Sequence, residues 1–154
     1  MTAAADTTAR EIAAEHGNRA DALIEILHQV QAALGHVPEA AVRTLADALN
    51  LSRAEVHGVV TFYHDFRDKP AGRHVLKICR AEACQAMGGE ALVARAEDRL
   101  GVACGGTSAD GRVTLEPIYC LGLCATGPSA MLDGEVVGRL TAPKLDALLK
   151  GAGA

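Results

Sequence analysis

Tryptophan is missing from this 154-residue chain, and Phe, Tyr and Trp together make up only 3% of it. Aromatic platforms for stacking bases or sugars are therefore excluded as a main theme, and the core must be built from Leu, Val, Ile and Ala. Positive charge is also short. Lys and Arg number 15 against 19 Asp and Glu, a net charge of −4 that argues against coating nucleic-acid phosphates. No like-charge block is long enough to mark a disordered tail. Long apolar runs are absent too. The longest charge-free stretch lies between Glu116 and Asp133 and is interrupted by Pro117, Gly122, Gly127 and Pro128. It falls short of the roughly 20 apolar residues that cross a bilayer. The opening MTAAADTTAR has no apolar segment of the kind that directs export. These absences predict a cytoplasmic protein, without membrane insertion, whose thiols stay reduced.

What is present divides into two patterns. In the first half, Leu23, Ile26, Leu27, Val30 and Leu34 recur at three- and four-residue steps, and Gly35 stands where a C-terminal cap belongs. Pro38 opens a second helix carrying Val42, Leu45 and Leu49. Ser52 with Glu55 three residues on forms a capping box for a third, through Val56, Val59 and Val60. A further short helix is expected over 7–16. The turn Asp68-Lys69-Pro70-Ala71-Gly72 marks a module boundary, giving a helical bundle over 1–70 and a second domain over 71–154. In that second domain the expected elements are a strand over 74–79, a helix over 89–100 ended by Gly101, and a strand over 112–116 after Asp110-Gly111. A hairpin around Asp133-Gly134 and a final helix over 144–150 capped by Thr141 follow. The chain is thus expected to be α+β or α/β, its second domain ordered as a thioredoxin-like layer but lacking a C-x-x-C redox pair.

Five cysteines carry the chemistry: Cys79, Cys84, Cys104, Cys120 and Cys124. An odd number with tight pairing favours metal chemistry over a disulfide framework. Cys79 and Cys84 form C-x4-C and Cys120 and Cys124 form C-x3-C, each pair expected to begin at a strand end and run through a loop. Four thiolates converging between two loops suit Zn²⁺ or an iron–sulfur cluster. Structural zinc sites usually use a tighter C-x2-C knuckle, whereas a [2Fe-2S] rhomb, with two thiolates on each iron, matches the wider spacings. Neither pair contains the His that a Rieske centre needs, and the wide gap between the pairs is unlike the single run of a [4Fe-4S] site. The spacing favours [2Fe-2S]; a zinc site, or cysteines left free or disulfide-linked, are the alternatives. Ala81, Ala83, Gly122, Ala125 and Gly127 leave room for backbone N–H groups to approach the sulfurs, and Arg80 offers a positive charge beside Cys79.

The segments VVTFYHDFRDKPAGRHVLKIC, CRAEACQAMGGEAL and TSADGRVTLEPIYCLGLCATGPSAMLDGEVVGRLT make the chain recognisable over residues 20–150. With F-Y-x-x-F, P-x-G-x-H, C-x4-C, D-G-x-x-T-L and C-L-G-x-C, they resemble the 24-kDa-type [2Fe-2S] subunits of NADH dehydrogenases. CRAEACQA and YCLGLC look most like the gamma subunit of cytosolic NAD-dependent formate dehydrogenases; respiratory complex I subunits more often read E-C-L-G-A-C. The resemblance implies a helical bundle followed by a thioredoxin-like [2Fe-2S] domain, with Cys79, Cys84, Cys120 and Cys124 as ligands of one cluster. It also implies an electron-transfer role without catalytic residues of its own. The implied partners are a flavoprotein subunit with FMN, an NAD(H) site and a [4Fe-4S] cluster, and a large subunit whose molybdenum or tungsten pterin oxidises formate to CO2. The equivalent subunit of complex I or of an NAD-linked hydrogenase is the alternative, and a zinc-stabilised interaction module the alternative of another class.

The other candidates carry plainer readings. Cys104, before Gly105-Gly106, lies outside the four-cysteine motif and reads as a small buried residue. His57 and His64 share a helix face if the helix continues between them, as packed or surface residues rather than a second metal site. Phe62, Tyr63 and Phe66 read as core or interface anchors, Gly88-Gly89 as a flexible helix entry, and Glu82 with Glu116 as no acid–base pair.

Overall fold

Alanines at four-residue steps govern the first element of the computed structural model, which describes residues 2–153. Helix α1 runs Thr2–Glu15 and buries Ala5, Ala9 and Ala13 along one side. It begins well before the helix expected over 7–16, because a stripe of alanines has little hydrophobic amplitude yet lets two helices approach closely. Its neighbour is α3 (Glu39–Leu49), whose Thr44 hydroxyl donates to Asp6 Oδ1 at 2.9 Å. Helix α2 (Leu23–Leu34) follows a short 3-10 turn over Ala20–Ala22, and α4 spans Arg53–Phe62. Ile26, Leu27, Val30, Val37, Leu45 and Val56 form the centre of this core and are fully or almost fully buried.

The helix ends follow the sequence closely. Gly35 takes a left-handed φ of 77° and returns its N–H to Gln31, ending α2. Ser52 and Glu55 make the reciprocal capping box at α4: Glu55 N–H donates to Ser52 Oγ at 3.2 Å and Ser52 N–H to Glu55 Oε2 at 2.8 Å. Because α4 stops at Phe62, only His57 lies on it, and His64 does not share its face. Phe66 is buried while Phe62 and Tyr63 stay exposed, their rings meeting edge-on. Gln31 helps to fasten the segment beyond α4. It donates from Nε2 to Asp65 O at 2.6 Å and accepts the Arg67 N–H at 2.7 Å.

The chain divides into two compact units, one ending at Pro70 and the other starting at Ala71. The second unit is built on a mixed sheet ordered β2-β1-β3-β4, from β1 (His74–Cys79), β2 (Val113–Ile118), β3 (Ala130–Leu132) and β4 (Glu135–Val137). Strands β1 and β2 are parallel, and β3 and β4 are joined as an antiparallel hairpin across Asp133-Gly134, both with positive φ. Leu76, Ile78, Val113, Leu115 and Ala130 of the sheet share a core with Leu92, Val93 and Ala96 of α6 (Gly89–Leu100) and Leu145 and Leu149 of α7 (Ala142–Gly151). This is the helical bundle plus thioredoxin-like α/β layer that the element order implied. Strand β2 continues through Pro117 to Ile118, past the end expected at Glu116. It is the outer strand of the sheet, where a residue without N–H removes no ladder bond the sheet needs. Among the described residues no helix is long and apolar enough to cross a membrane.

One element was not expected at all: a single-turn helix, α5 (Glu82–Ala86), lies inside the C-x4-C segment. Its packing explains Gly88-Gly89. A Cβ on Gly89 would stand 2.7 Å from the Cys84 carbonyl oxygen and 3.4 Å from that of Cys79. Gly89 is therefore a point of close backbone approach rather than a flexible entry.

Leu45→Ala is expected to destabilise the helical unit by about 2–5 kcal/mol and Ser52→Ala by about 1 kcal/mol, read from urea midpoints at constant slope. In the second unit, Asp133 accepts the Val75 N–H at 2.8 Å and pairs with His74 Nδ1 at 2.7 Å. Burial pushes its carboxyl upward, but these partners outweigh that and hold it below the usual carboxylate range. A lowered folded-state value means stability that is present at neutral pH and lost as pH falls through that value. An acid titration of the melting temperature should lose this contribution in Asp133→Asn.

Candidate metal centre

Parallel pairing of β1 with β2 sets the site. Cys79, the last residue of β1, lies in register with Ile118, the last of β2, so both strands release their chains at the same edge of the sheet. From β1 the chain enters α5, which carries Cys84. From β2 it turns at Cys120, whose φ of 96° is left-handed, a backbone state that costs a non-glycine residue about 1–3 kcal/mol and persists where surrounding structure enforces it. Gly122 follows with φ 76°, and Cys124 starts a short 3-10 turn, Cys124–Thr126. Of the two cysteine pairs, then, the first runs from a strand into a helix and the second from a loop into a 3-10 turn.

The four thiols occupy two kinds of environment. Cys79 and Cys84 are 1% and 2% exposed, whereas Cys120 and Cys124 face solvent. The outer pair lie with Sγ atoms 3.6 Å apart, and within the inner pair Cys84 acts to lower the Cys79 thiol. Cys124 in turn feels the charges of Cys120, Cys84 and Cys79, which links all four in one electrostatic neighbourhood. Tyr119, next to Cys120 in the chain, and Met87, which follows α5, are exposed apolar side chains.

Donors are aimed at the sulfurs. Gly122 N–H reaches Cys120 Sγ at 3.3 Å, the small-residue arrangement that the sequence suggested. Burial pushes the Cys79 thiol up, but the Ala81 N–H, Cys84, the Cys120 N–H and the Ser129 hydroxyl together bring it below the ordinary thiol value. Cys124 moves the other way, raised by its hydrogen bond to Cys120 and by the negative charge gathered around it. Four soft thiolates would repel one another strongly, so this set fits a positively charged iron–sulfur centre that shares their charge, and the N–H donors suit it further. Among the described residues, no three His, Cys, Asp or Glu side chains converge as ligands of one metal ion.

Arg80 departs from expectation. Its guanidinium turns to Glu90 on α6, donating at 3.0 and 2.8 Å, so its charge is matched locally rather than left for the sulfurs. Cys104 stays half-buried against the core, its N–H on Glu97 Oε1 at 2.8 Å and its thiol raised chiefly by burial. Glu116 faces Lys77 at 3.7 Å across the parallel pair, not Glu82. His57 and His64 line a groove of about 600 Å³ in the helical unit that contains none of the cysteines. Ser129, buried behind the inner pair, escaped sequence reasoning because a serine after Gly127-Pro128 carries only a turn signal.

Comparison with known proteins gives a consistent placement. Over 129 residues the chain is 39% identical to the E subunit of the NADH-quinone oxidoreductase of Escherichia coli (strain K12), covering 84% of this chain and 78% of that protein. The corresponding protein of Pseudomonas aeruginosa is 38% identical over 117 residues, 76% of this chain and 70% of that one. The crystal structure of an air-oxidised NAD+-reducing [NiFe]-hydrogenase aligns with a TM-score of 0.74 at 26% identity, covering 86% of this chain but only 23% of the hydrogenase chain. The model of the thioredoxin-like [2Fe-2S] ferredoxins matches residues 9–152, across both the helices and the cysteine-bearing layer, and it is to this family that the chain belongs.

Proposed function

We propose that the chain holds one [2Fe-2S] cluster through Cys79, Cys84, Cys120 and Cys124 and serves as an electron-transfer subunit of an NAD-linked oxidoreductase. The observation that carries this reading is the convergence of four thiols, two buried and two exposed, at the shared end of β1 and β2. When bound, the cluster takes up and returns one electron at a time, which suits a neighbour that must divide a hydride's electron pair. The chain's own part is to fix the sulfurs, shield the inner pair from water, and present the outer pair with Tyr119 and Met87 at the surface. On this reading catalysis belongs to partner chains.

The relatives named above support an NADH-linked setting. Within it, the Arg80-Ala81-Glu82-Ala83 and Tyr119-Cys120-Leu121-Gly122-Leu123-Cys124 sequences favour the formate dehydrogenase branch over complex I. On that reading the chain docks beside a flavoprotein subunit with FMN, an NAD(H) site and a [4Fe-4S] cluster. A large molybdenum- or tungsten-pterin subunit oxidises formate in the cytoplasm. The substrate is then decided by that large subunit. Purification through a tag on this chain is expected to bring down a flavoprotein and formate-dependent NAD+ reduction; hydrogen- or quinone-linked activity instead would move it to another branch.

The ligand set has a direct test. Iron and acid-labile sulfide assays on the anaerobically purified chain are expected to give about two of each, with one S = ½ signal on reduction. Cys84→Ser and Cys124→Ser should each abolish or distort the visible and EPR spectra, while Cys104→Ser leaves them unchanged. Zinc without sulfide would replace the redox reading with a structural one.

A further inference from the structure

Ser129 is one of three buried polar residues among those described, and it is only 1% exposed. Its place is fixed from both ends. Gly127 and Pro128 before it link it to the second cysteine loop, and Ala130 after it begins β3, paired with Ile78. Its carbonyl accepts the Cys79 N–H at 2.9 Å. Its hydroxyl lies 3.6 Å from Cys84 Sγ. A hydroxyl removed from water must find a partner, and here the partner is a sulfur of the inner pair, that of Cys84.

From this geometry we propose that Ser129 is a tuning residue: its hydroxyl donates to the Cys84 sulfur and raises the reduction potential of the centre that this sulfur helps to hold. The proposal rests on the ligand assignment above. A thiolate bound to iron carries no proton, so of the two atoms only the hydroxyl can donate. A donor to a ligand sulfur stabilises the state with more negative charge, and reduction adds one negative charge. Burial strengthens the effect, since no water screens the contact or replaces it when it is lost. The donor described for the outer pair is the Gly122 N–H, which any residue's backbone would supply. The side chain of Ser129 is thus the place where a substitution changes the donors to the sulfurs without altering a ligand.

The test is an EPR-monitored redox titration of the full chain, alongside iron and sulfide content, for wild type, Ser129→Ala and Ser129→Thr. Ser129→Ala is expected to retain the cluster and shift the equilibrium toward the oxidised form by about three- to tenfold, tenfold being ~59 mV for one electron. Ser129→Thr, which keeps the hydroxyl, should stay at the wild-type value. An alanine variant with full iron and sulfide and an unchanged midpoint overturns the proposal and leaves the ligand assignment standing. A wild-type chain without iron and sulfide overturns the assignment itself, and this proposal with it. Should the alanine variant hold no cluster, the threonine variant decides: a wild-type midpoint supports the tuning role, and a lowered one overturns it.

Discussion

Everything at the sulfur site depends on the parallel register of two six-residue strands. Pairing Cys79 with Ile118 makes β1 and β2 end together, so the chain leaves both strands on the same edge and two distant sequence segments meet there. A one-residue slip would turn Cys79 from one side of the sheet to the other. The register is held by the core on one face, where Leu76, Ile78, Val113 and Leu115 pack under α6, and across the pair by Lys77 opposite Glu116. The carbonyl of Ser129 and that of Ile118 then fasten the exit, accepting the N–H groups of Cys79 and Arg80 at 2.9 and 2.8 Å.

The inner and outer thiols answer different demands. Burying two thiols beside each other is tolerable only with donors nearby, and backbone N–H groups provide them without adding charge. The outer loop meets its own geometric demand through backbone state: Cys120 at φ 96° and Gly122 at φ 76° bend the chain sharply enough to bring Cys124 back to within 3.6 Å of Cys120. Gly89 does the corresponding service for the inner loop by letting α6 start against the Cys84 carbonyl. Small residues thus decide how closely each loop closes, and the cysteines decide what is held there.

Much of this was legible in the sequence because the signals were local. The heptad-like spacing of Leu23 to Leu34, the Ser52–Glu55 box, the Gly101 stop and the Asp133-Gly134 turn each act within a few residues, and the corresponding elements stand where those signals lie. What escaped was set by tertiary context. The beginning of α1 rests on alanines whose value is closeness to α3, which periodicity in hydrophobicity does not report. Helix α5 is too short for any period, and Pro117 belongs to a strand only because β2 lies at the sheet's edge. Arg80 reads as a charge for the sulfurs until Glu90, ten residues on, is seen to accept from its Nε and Nη2. At the site, the cysteines and small residues were visible, whereas Ser129 gains its meaning from a strand pairing that no local pattern encodes.

The scarcity of aromatic residues has one optical consequence. With no tryptophan and two tyrosines, the near-ultraviolet fluorescence of the chain comes from Tyr63 and Tyr119 alone. Tyr63 belongs to the helical unit, in edge contact with Phe62 and Phe66, and Tyr119 to the second unit, next to Cys120. Each unit therefore carries a single tyrosine, and a Tyr→Phe change at either position leaves a tyrosine emission that reports on one unit only, with no label attached.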